Sequence, residues 1–469
     1  MKNIQSKFDK VLLINLPGVE QSGYRPSPLG ILYLSSYLKK YAPGVKVEVI
    51  DGAIEGERSL VDKLKKIKPD LIGISVLTPS RLQAIKIAKV AKKLNPHCNI
   101  VLGGIHPTLM WNQMMENYPV IDYIVKGEGE VTLCDLVLGK KLEKIKGIVW
   151  RNSKNQIINN VDRPLIKNLD KIPFPAWDMI NPLAYSPWGQ GVVDGINLEK
   201  EVRVPIIFSR GCMGACTFCS TWKIWRGYRF RSGKNVANEM GMLVKKYHVK
   251  HFVFQDDTLT GSRKEVLNFC REILKRNIKV VIHGTTRVDF VDEEMLRLMR
   301  KVGFYKLSFG IESGSPKMLL SINKKTNLLE ILNAVRFTKK VGIQVCALIM
   351  FGLPGESQRD RLLTSKLIKR IKADEIGTIG EIWIFPGTTL FQKAKIAKLI
   401  SDKFWLGKQP YYIYRGGIDT DPLKRMLLLK DFYNFQLKDT IIFRILHKVW
   451  SLKSQLRRML VIKHIIWSN

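Results

Sequence analysis

The stretch FSRGCMGACTFCSTWKIWRGYRFR, residues 208–231, carries Cys212, Cys216 and Cys219 in a C-x3-C-x2-C spacing. Three thiolates this close can occupy three corners of one metal centre and leave a fourth open, and an open position is where a substrate or cofactor coordinates. Soft thiolates favour zinc, copper(I) or an iron–sulfur cluster. A structural zinc site wants a fourth Cys or His nearby, and the nearest beyond the loop are His248 and His251. Of seven cysteines in the chain, three fall within eight positions, which argues against incidental placement. The spacing therefore favours an iron–sulfur cluster with one open iron, with structural zinc as the competing reading.

Working outward, the loop follows a strand-like run, VRVPIIFSRG (202–211), and further runs appear at 251–257, 279–287, 306–313, 344–354 and 376–387. Helical patterns such as 234–247 and 293–303 separate them. Six strand–helix units predict an open (β/α)6 barrel with functional residues at the carboxyl ends of its strands. Those ends carry Asp256 and Asp257, Arg287, and the loop Gly310-Ile311-Glu312-Ser313-Gly314-Ser315. The paired acids suit ribose binding, loop ordering, proton transfer or simple capping, and Arg287 suits a bidentate carboxylate clamp.

Ahead of this region, apolar runs at 10–18, 46–53, 70–78, 99–107 and 122–130 alternate with amphipathic patterns at 29–41, 58–68, 81–94 and 131–139. This pattern predicts a doubly wound parallel sheet, whose ligands bind beyond the strands' carboxyl ends. Leu16, Thr78, Gly103, Gly104, His106, Gly127 and Glu128 stand at those ends. Glycines there let a bulky ligand approach the backbone. No G-x-G-x-x-G follows the first strand, which disfavours a dinucleotide. The expected organisation is a Rossmann-like domain over 1–145, a linker over 146–200 and a partial barrel over 201–415, then a helical region over 416–469. Within the linker, 147–160 reads as a hairpin and 183–200 as a loop near the active site.

A cysteine motif with Phe218 just before its third cysteine resembles the signature of radical S-adenosylmethionine (SAM) enzymes. That resemblance implies a 4Fe-4S cluster on Cys212, Cys216 and Cys219, and SAM on its open iron. It also implies SAM contacts from Phe218, Asp256, Arg287, Glu312 and Ser313. The first domain resembles the cobalamin-binding domain fused ahead of many such enzymes, through the loop reaching Arg25–Gly30, GGIHPT (103–108) and GEGE (127–130). Leu16, Thr78, Gly103, Gly104, His106, Gly127 and Glu128 would then contact cobalamin. The D-x-H-x-x-G place of related domains looks like Asp51–Gly56, with Ala53 where the cobalt-ligating histidine would be and His106 as a substitute. The function implied is cobalamin-dependent methylation of an unactivated carbon. Oxidative ring closure, as in the anaerobic magnesium-protoporphyrin ester cyclase, is an alternative. A cobalamin- or nucleic-acid-binding protein with a structural metal is another.

The chain has 469 residues and a formal net charge of +36, with 77 Lys and Arg against 41 Asp and Glu. Such a balance suits a polyanionic partner or a lysine-rich proteome. With no appended RNA-binding module, nucleic acid is disfavoured; a small-molecule or lipid-like substrate and a flavodoxin- or ferredoxin-type electron donor are expected. Odd cysteine usage and an oxygen-sensitive site point to the cytoplasm. The N-terminus does not read as a signal peptide, and no run of 18 apolar residues suggests a membrane span. From Thr440 onward no acidic residue occurs, and Arg444, Lys448, Arg457 and Arg458 lie off an apolar helical face. Residues 440–469 are therefore expected either to dock on the barrel or to touch an anionic membrane.

Overall fold

In the computed structural model, the apolar runs of the first 125 residues become five parallel strands. The residues described are 6–16, 26–187, 189–379 and 382–413. The strands are β1 (Lys10–Asn15), β2 (Lys46–Asp51), β3 (Leu71–Ser75), β4 (Asn99–Gly103) and β5 (Tyr123–Val125). Their order is β2-β1-β3-β4-β5. Val11, Leu12, Leu13 and Ile14 of β1 are all buried, as a central strand covered on both faces requires. β2 lies at the edge and runs from exposed Lys46 to buried Ile50 and Asp51. The order reverses between β1 and β3, which opens a crevice at their carboxyl ends.

The expected hairpin forms as β6 (Ile148–Arg151) and β7 (Ile157–Asn159). It does not bridge the domains, as a linker would. It pairs antiparallel with β5 and extends the first sheet to seven strands. This covers the otherwise open backbone groups of β5.

The short hairpin of β8 (Val192–Val193) and β9 (Ile196–Asn197) also departs from expectation. Val193, Ile196 and Leu198 pack against Val281 and Tyr305, near the amino ends of barrel strands. Asp194 is clamped by Arg300 at 2.7 and 2.8 Å. This part of 183–200 thus sits at the end of the barrel opposite the cysteine loop.

The second sheet holds six parallel strands in chain order: β10 (Arg203–Ile206), β13 (His251–Phe254), β14 (Val281–Thr286), β15 (Phe304–Glu312), β16 (Gln344–Met350) and β17 (Glu375–Ile379). Between the first two lie β11 (Ser209–Arg210) and β12 (Arg229–Phe230), which pair antiparallel. Helices over 233–247, 263–275, 293–301, 328–340 and 358–371 cover the outside. Their core includes Phe208, Phe254, Phe269 and Phe304, with ring centroids 5.6–6.5 Å apart. Fully burying each such ring contributes roughly 1.5–3 kcal/mol.

The helix Leu29–Tyr41 serves both sheets. Ile31 and Leu38 join the core of the first, while Leu29, Leu32 and Tyr33 join that of the barrel. No helix among the described residues is long and apolar enough to cross a membrane. The helical region expected over 416–469, with the stretch 440–469 for which docking or membrane contact is expected, lies outside the described residues.

Candidate active site

The cysteine loop starts where β10 ends, and both of its ends are fastened. Phe208 is buried in the aromatic cluster, and the β11–β12 ladder ties Ser209–Arg210 to Arg229–Phe230. Gly211 has φ +92°, and a Cβ there would lie 2.0 Å from the Gly227 carbonyl, so the turn admits only glycine. Inside the loop, Cys212 Sγ lies 3.1 Å from Thr258 Oγ1 and accepts from the Gly214 N–H at 3.3 Å. Asn323 Nδ2 donates to the Ala215 carbonyl at 2.9 Å, and Thr217 N–H donates to the Ile322 carbonyl at 3.0 Å.

All three cysteines are free thiols. Burial pushes the Cys216 and Cys219 thiols up, so their thiolates require compensating positive charge. Among the described residues no three His, Cys, Asp or Glu side chains converge closely enough for a single metal ion.

Two other strand ends close over this loop. Arg287, after β14, is buried; its Nε and Nη2 bind Asp289 at 2.9 and 2.8 Å, and Nη2 also donates to the Lys324 carbonyl. Its Nη1 faces the loop, for a Cβ on Gly214 would lie 2.7 Å from it and 3.5 Å from Cys212 Sγ. At the end of β15, Glu312 has φ +66°, a left-handed conformation uncommon for a non-glycine residue. Its carboxylate accepts from Lys324 Nζ at 2.9 Å with both groups buried. A Cβ on Gly310 would come within 2.8 Å of both partners, which explains that glycine.

Between the sheets lies a cavity with ≈ 310 Å³ of interior space, bounded by Ser75, Gly103, Gly104 and Gly127 of the first sheet. From the barrel come Ile207, Ser209, Arg210, Gln255 and Asp257. The carboxyl ends of both sheets thus wall one space, beside the cysteine loop. Gly104 has φ +97°, and a Cβ there would lie 2.9 Å from the Val76 carbonyl. Small residues along one wall and apolar Leu13, Ile31 and Leu34 around it suit a broad, flat ligand such as a corrin.

Several expected ligands have other partners. Asp256 is buried and accepts from the backbone N–H groups of Phe208 and Ser209 and from Ser209 Oγ, so it shapes the loop's base instead of meeting a ribose. Burial pushes its carboxyl up to about 7. Asp257, not Asp256, reaches the cavity. Ser313 is fully buried; its Oγ lies 3.1 Å from Thr364 Oγ1 and caps the Ser315 N–H, fixing the turn against the helix 358–371. Phe218 packs on the apolar cluster around Met318 and Ile322. Leu16, Thr78 and His106 do not wall the cavity. His106 is buried beside Thr78 Oγ1 at 3.2 Å and near Trp405, and burial lowers its pKa to about 3. The segment Asp51–Gly56 follows the edge strand, not the crevice. Asp51 caps Ala53 and accepts from Tyr185 Oη at 2.6 Å, so the segment does not wall the cavity whatever residue stands at 53.

The feature missed in the sequence is a buried ion network between the sheets. Arg210 Nη1 donates to Glu128 at 2.7 Å and Nη2 to Glu130 at 2.6 Å. Arg229 also reaches Glu128, at 2.9 Å, and the Ile166 N–H donates to it at 2.7 Å. Glu128 therefore borders the cavity with its carboxylate already engaged. Burial opposes the Arg210 charge, but Glu130 and Glu128 outweigh it and hold the guanidinium's pKa raised. The GEGE and SRGC stretches each carried a signal; only the fold shows that they meet.

A doubly wound sheet faces an open barrel with three thiols at the first barrel strand's end, the arrangement that the sequence resemblance implies for an enzyme holding a corrin and an open iron–sulfur cluster. Residues 16–137 match the B12-binding domain family and residues 206–368 the radical SAM superfamily. The anaerobic magnesium-protoporphyrin IX monomethyl ester cyclase of Rubrivivax gelatinosus is 33% identical over 363 residues, covering 75% of this chain and 63% of that protein. An uncharacterised methyltransferase of Pyrococcus horikoshii is 29% identical over 464 residues, covering 93% of this chain and 95% of its own. Among solved structures, the cobalamin-dependent radical SAM enzyme OxsB superposes with a TM-score of 0.71 at 20% identity, over 84% of this chain and 62% of that one. The methyltransferase TsrM from Kitasatospora setae gives 0.67 at 20% identity, over 83% and 75%. This chain belongs to the cobalamin-binding radical SAM enzymes. Its cofactors are accordingly a 4Fe-4S cluster, SAM and cobalamin.

Proposed function

We propose that this enzyme methylates an unactivated carbon of a small or lipid-like substrate. The observation that carries the reading is the single cavity walled by the strand ends of both sheets, next to the cysteine loop. When bound, the cluster supplies the electron that cleaves SAM, and cobalamin supplies the methyl group. Cys212, Cys216 and Cys219 would hold the cluster and leave one iron open to SAM. Arg287, anchored by Asp289, keeps one guanidinium edge toward the loop and binds a carboxylate there. Glu312 orients an ammonium group at the strand end where Lys324 now neutralises it. Gly103, Gly104 and Gly127 would let the corrin lie against the backbone. Arg210 holds the cavity's rim to the start of the cysteine loop.

Near full-length correspondence with the Pyrococcus methyltransferase favours methyl transfer over ring closure, since the cyclase is matched over 63% of its length. The enzyme works in the cytoplasm with a flavodoxin- or ferredoxin-type donor. Residues 440–469, basic and interrupted by apolar positions, give it peripheral contact with anionic membrane, and removing them abolishes pelleting with anionic liposomes; unchanged pelleting rejects that contact. The central test is anaerobic reconstitution with iron, sulfide and hydroxocobalamin, then incubation with SAM and reductant. Expected are about four irons, one cobalamin and 5′-deoxyadenosine, with cluster and 5′-deoxyadenosine lost in Cys216→Ala. Deoxyadenosine formation by Cys216→Ala refutes the assignment of Cys216 to the cluster, and its absence from the reconstituted wild type refutes the radical chemistry. Failure of the wild type to retain cobalamin refutes methyl transfer.

A further inference from the structure

Gly127 borders a second space besides the main cavity. On its far side lies a polar pocket with ≈ 310 Å³ of interior space, lined in part by Lys126, Arg163, Lys223, Arg226 and Asp162. Four cations face one carboxylate. Asp162 is shared by Lys126 Nζ at 2.7 Å and Arg226 Nη2 at 2.5 Å, and the hydrogen bond from Lys126, with that from Arg226, holds its carboxyl below the usual range. Arg163 leans on Asp135 at 2.5 Å, but Asp135 also carries Lys140 at 2.5 Å. Lys223 has no ion pair among the described residues, and its Nζ lies 5.4 Å from the centroid of the Trp222 ring. Counted with these partners, five cations meet two carboxylates, an excess of three positive charges. Lys126 sits only 10% exposed and shares its carboxylate partner, Asp162, with Arg226.

The location is as specific as the charge. Lys223 and Arg226 belong to the short helix Thr221–Trp225 and its cap, directly after Cys219. Gly127 lines both the pocket and the cavity, with φ +71° and open space where a Cβ would point. Its N–H is held by Thr108 Oγ1 at 3.0 Å, which fixes the rim.

We propose that this pocket binds a phosphate group of the molecule seated in the neighbouring cavity. Phosphate offers the charge and acceptor oxygens that guanidinium and ammonium groups recognise. It has two sources: the nucleotide phosphodiester of cobalamin, or a phosphorylated substrate. The inference concerns binding alone and stands whether or not methyl transfer is the reaction.

The test compares the full-length chain with Lys223→Gln and Arg226→Gln, both on the pocket's outer side. Cobalamin and cobinamide, which lacks the nucleotide and its phosphate, are titrated by corrin absorbance. Thermal shift with inorganic phosphate is measured against chloride at matched ionic strength. Losing one charge-assisted contact weakens binding about tenfold. Weaker cobalamin binding with unchanged cobinamide binding assigns the site to the cofactor's phosphate. Unchanged corrin binding, with phosphate stabilising the wild type but neither variant, assigns it to a substrate phosphate. Variants that match the wild type toward cobalamin, cobinamide and phosphate overturn the proposal. If the wild type binds neither corrin, methyl transfer fails, while the phosphate measurement still reads this pocket.

Discussion

Replacing Arg210 by Met should loosen the two domains more than any surface change. The side chain is 9% exposed, and its carboxylate partners Glu128 and Glu130 are 4% and 5% exposed. Met keeps most of the volume but removes the charge. Glu128 retains Arg229 and the Ile166 N–H, so most of the penalty falls on Glu130, for which Arg210 is the ion-pair partner. Stranding one buried charge costs about 3–5 kcal/mol. Lost contact with the rings of Tyr33 and Trp225, 5.4 and 5.8 Å from the guanidinium carbon, adds roughly 0.5–1 kcal/mol. With a urea dependence of about 3 kcal/mol per M, the unfolding midpoint of the apoprotein falls by about 1–2 M. The matching control is Arg210→Met with Glu130→Gln, which removes the stranded charge and recovers more than half of the loss. Urea titration followed by tryptophan fluorescence reads both. A single variant within about 0.2 M of the wild type, or a double variant no better than the single, refutes the argument that this network is buried and mutually compensating.

Three further outcomes follow from the site. Gly104→Ala combines a strained φ of +97° with a Cβ 2.9 Å from the Val76 carbonyl, so it deforms the cavity wall; cobalamin retention on gel filtration should drop at least tenfold while the cluster's iron content holds. Asp256 has its folded pKa raised to about 7, by burial. Between its unfolded value and 7 the folded state binds the extra proton, so this group's contribution to stability falls as pH rises from about 4 to 7 and is flat above. Urea midpoints of wild type and Asp256→Asn across pH 5–8 should therefore differ in slope below pH 7 and run parallel above it. Gly310→Ala drives a methyl group to 2.8 Å from Glu312 Oε1 and Lys324 Nζ and should separate that pair; isothermal titration with SAM under anaerobic conditions should show affinity reduced about tenfold, and unchanged affinity would remove Glu312 from the SAM site.

Both sheets were legible because their strands are short apolar runs separated by amphipathic helices, a pattern that sequence periodicity reports directly. The strands β1–β5, β10 and β13–β17 fall where those runs lie. Partners contributed by distant segments were not legible. Asp256 and Asp257 are neighbours on the chain, yet one caps Phe208 and Ser209 while the other reaches the cavity. Both lie in the loop after β13 ends at Phe254, and the sequence does not say which member turns inward. Likewise His106 follows two glycines at a strand end, but the start of the helix Ile105–Asn117 turns it into the core beside Thr78. The hairpin at 148–159 carried a turn signal but no sign of the edge it would cover.

The Arg210 network shows why two readable motifs gave an incomplete site. Glu128 sits at the end of a first-domain strand, where a polar residue suggests a ligand contact. Arg210 precedes the first cysteine by two positions, where a basic residue suggests nothing in particular. In the fold each is the other's counter-charge. A buried ion pair is weak evidence for stability, since desolvation offsets much of its Coulombic gain. Its value lies in geometry: an arginine fork with two carboxylates admits one relative placement of the elements that carry them. Here those elements are the rim of the cavity and the first residues of the cysteine loop. If the proposed methyl transfer holds, both cofactor sites serve one substrate, and their separation must be fixed more narrowly than apolar packing alone imposes. The network at Arg210 sets that separation directly between the two sites.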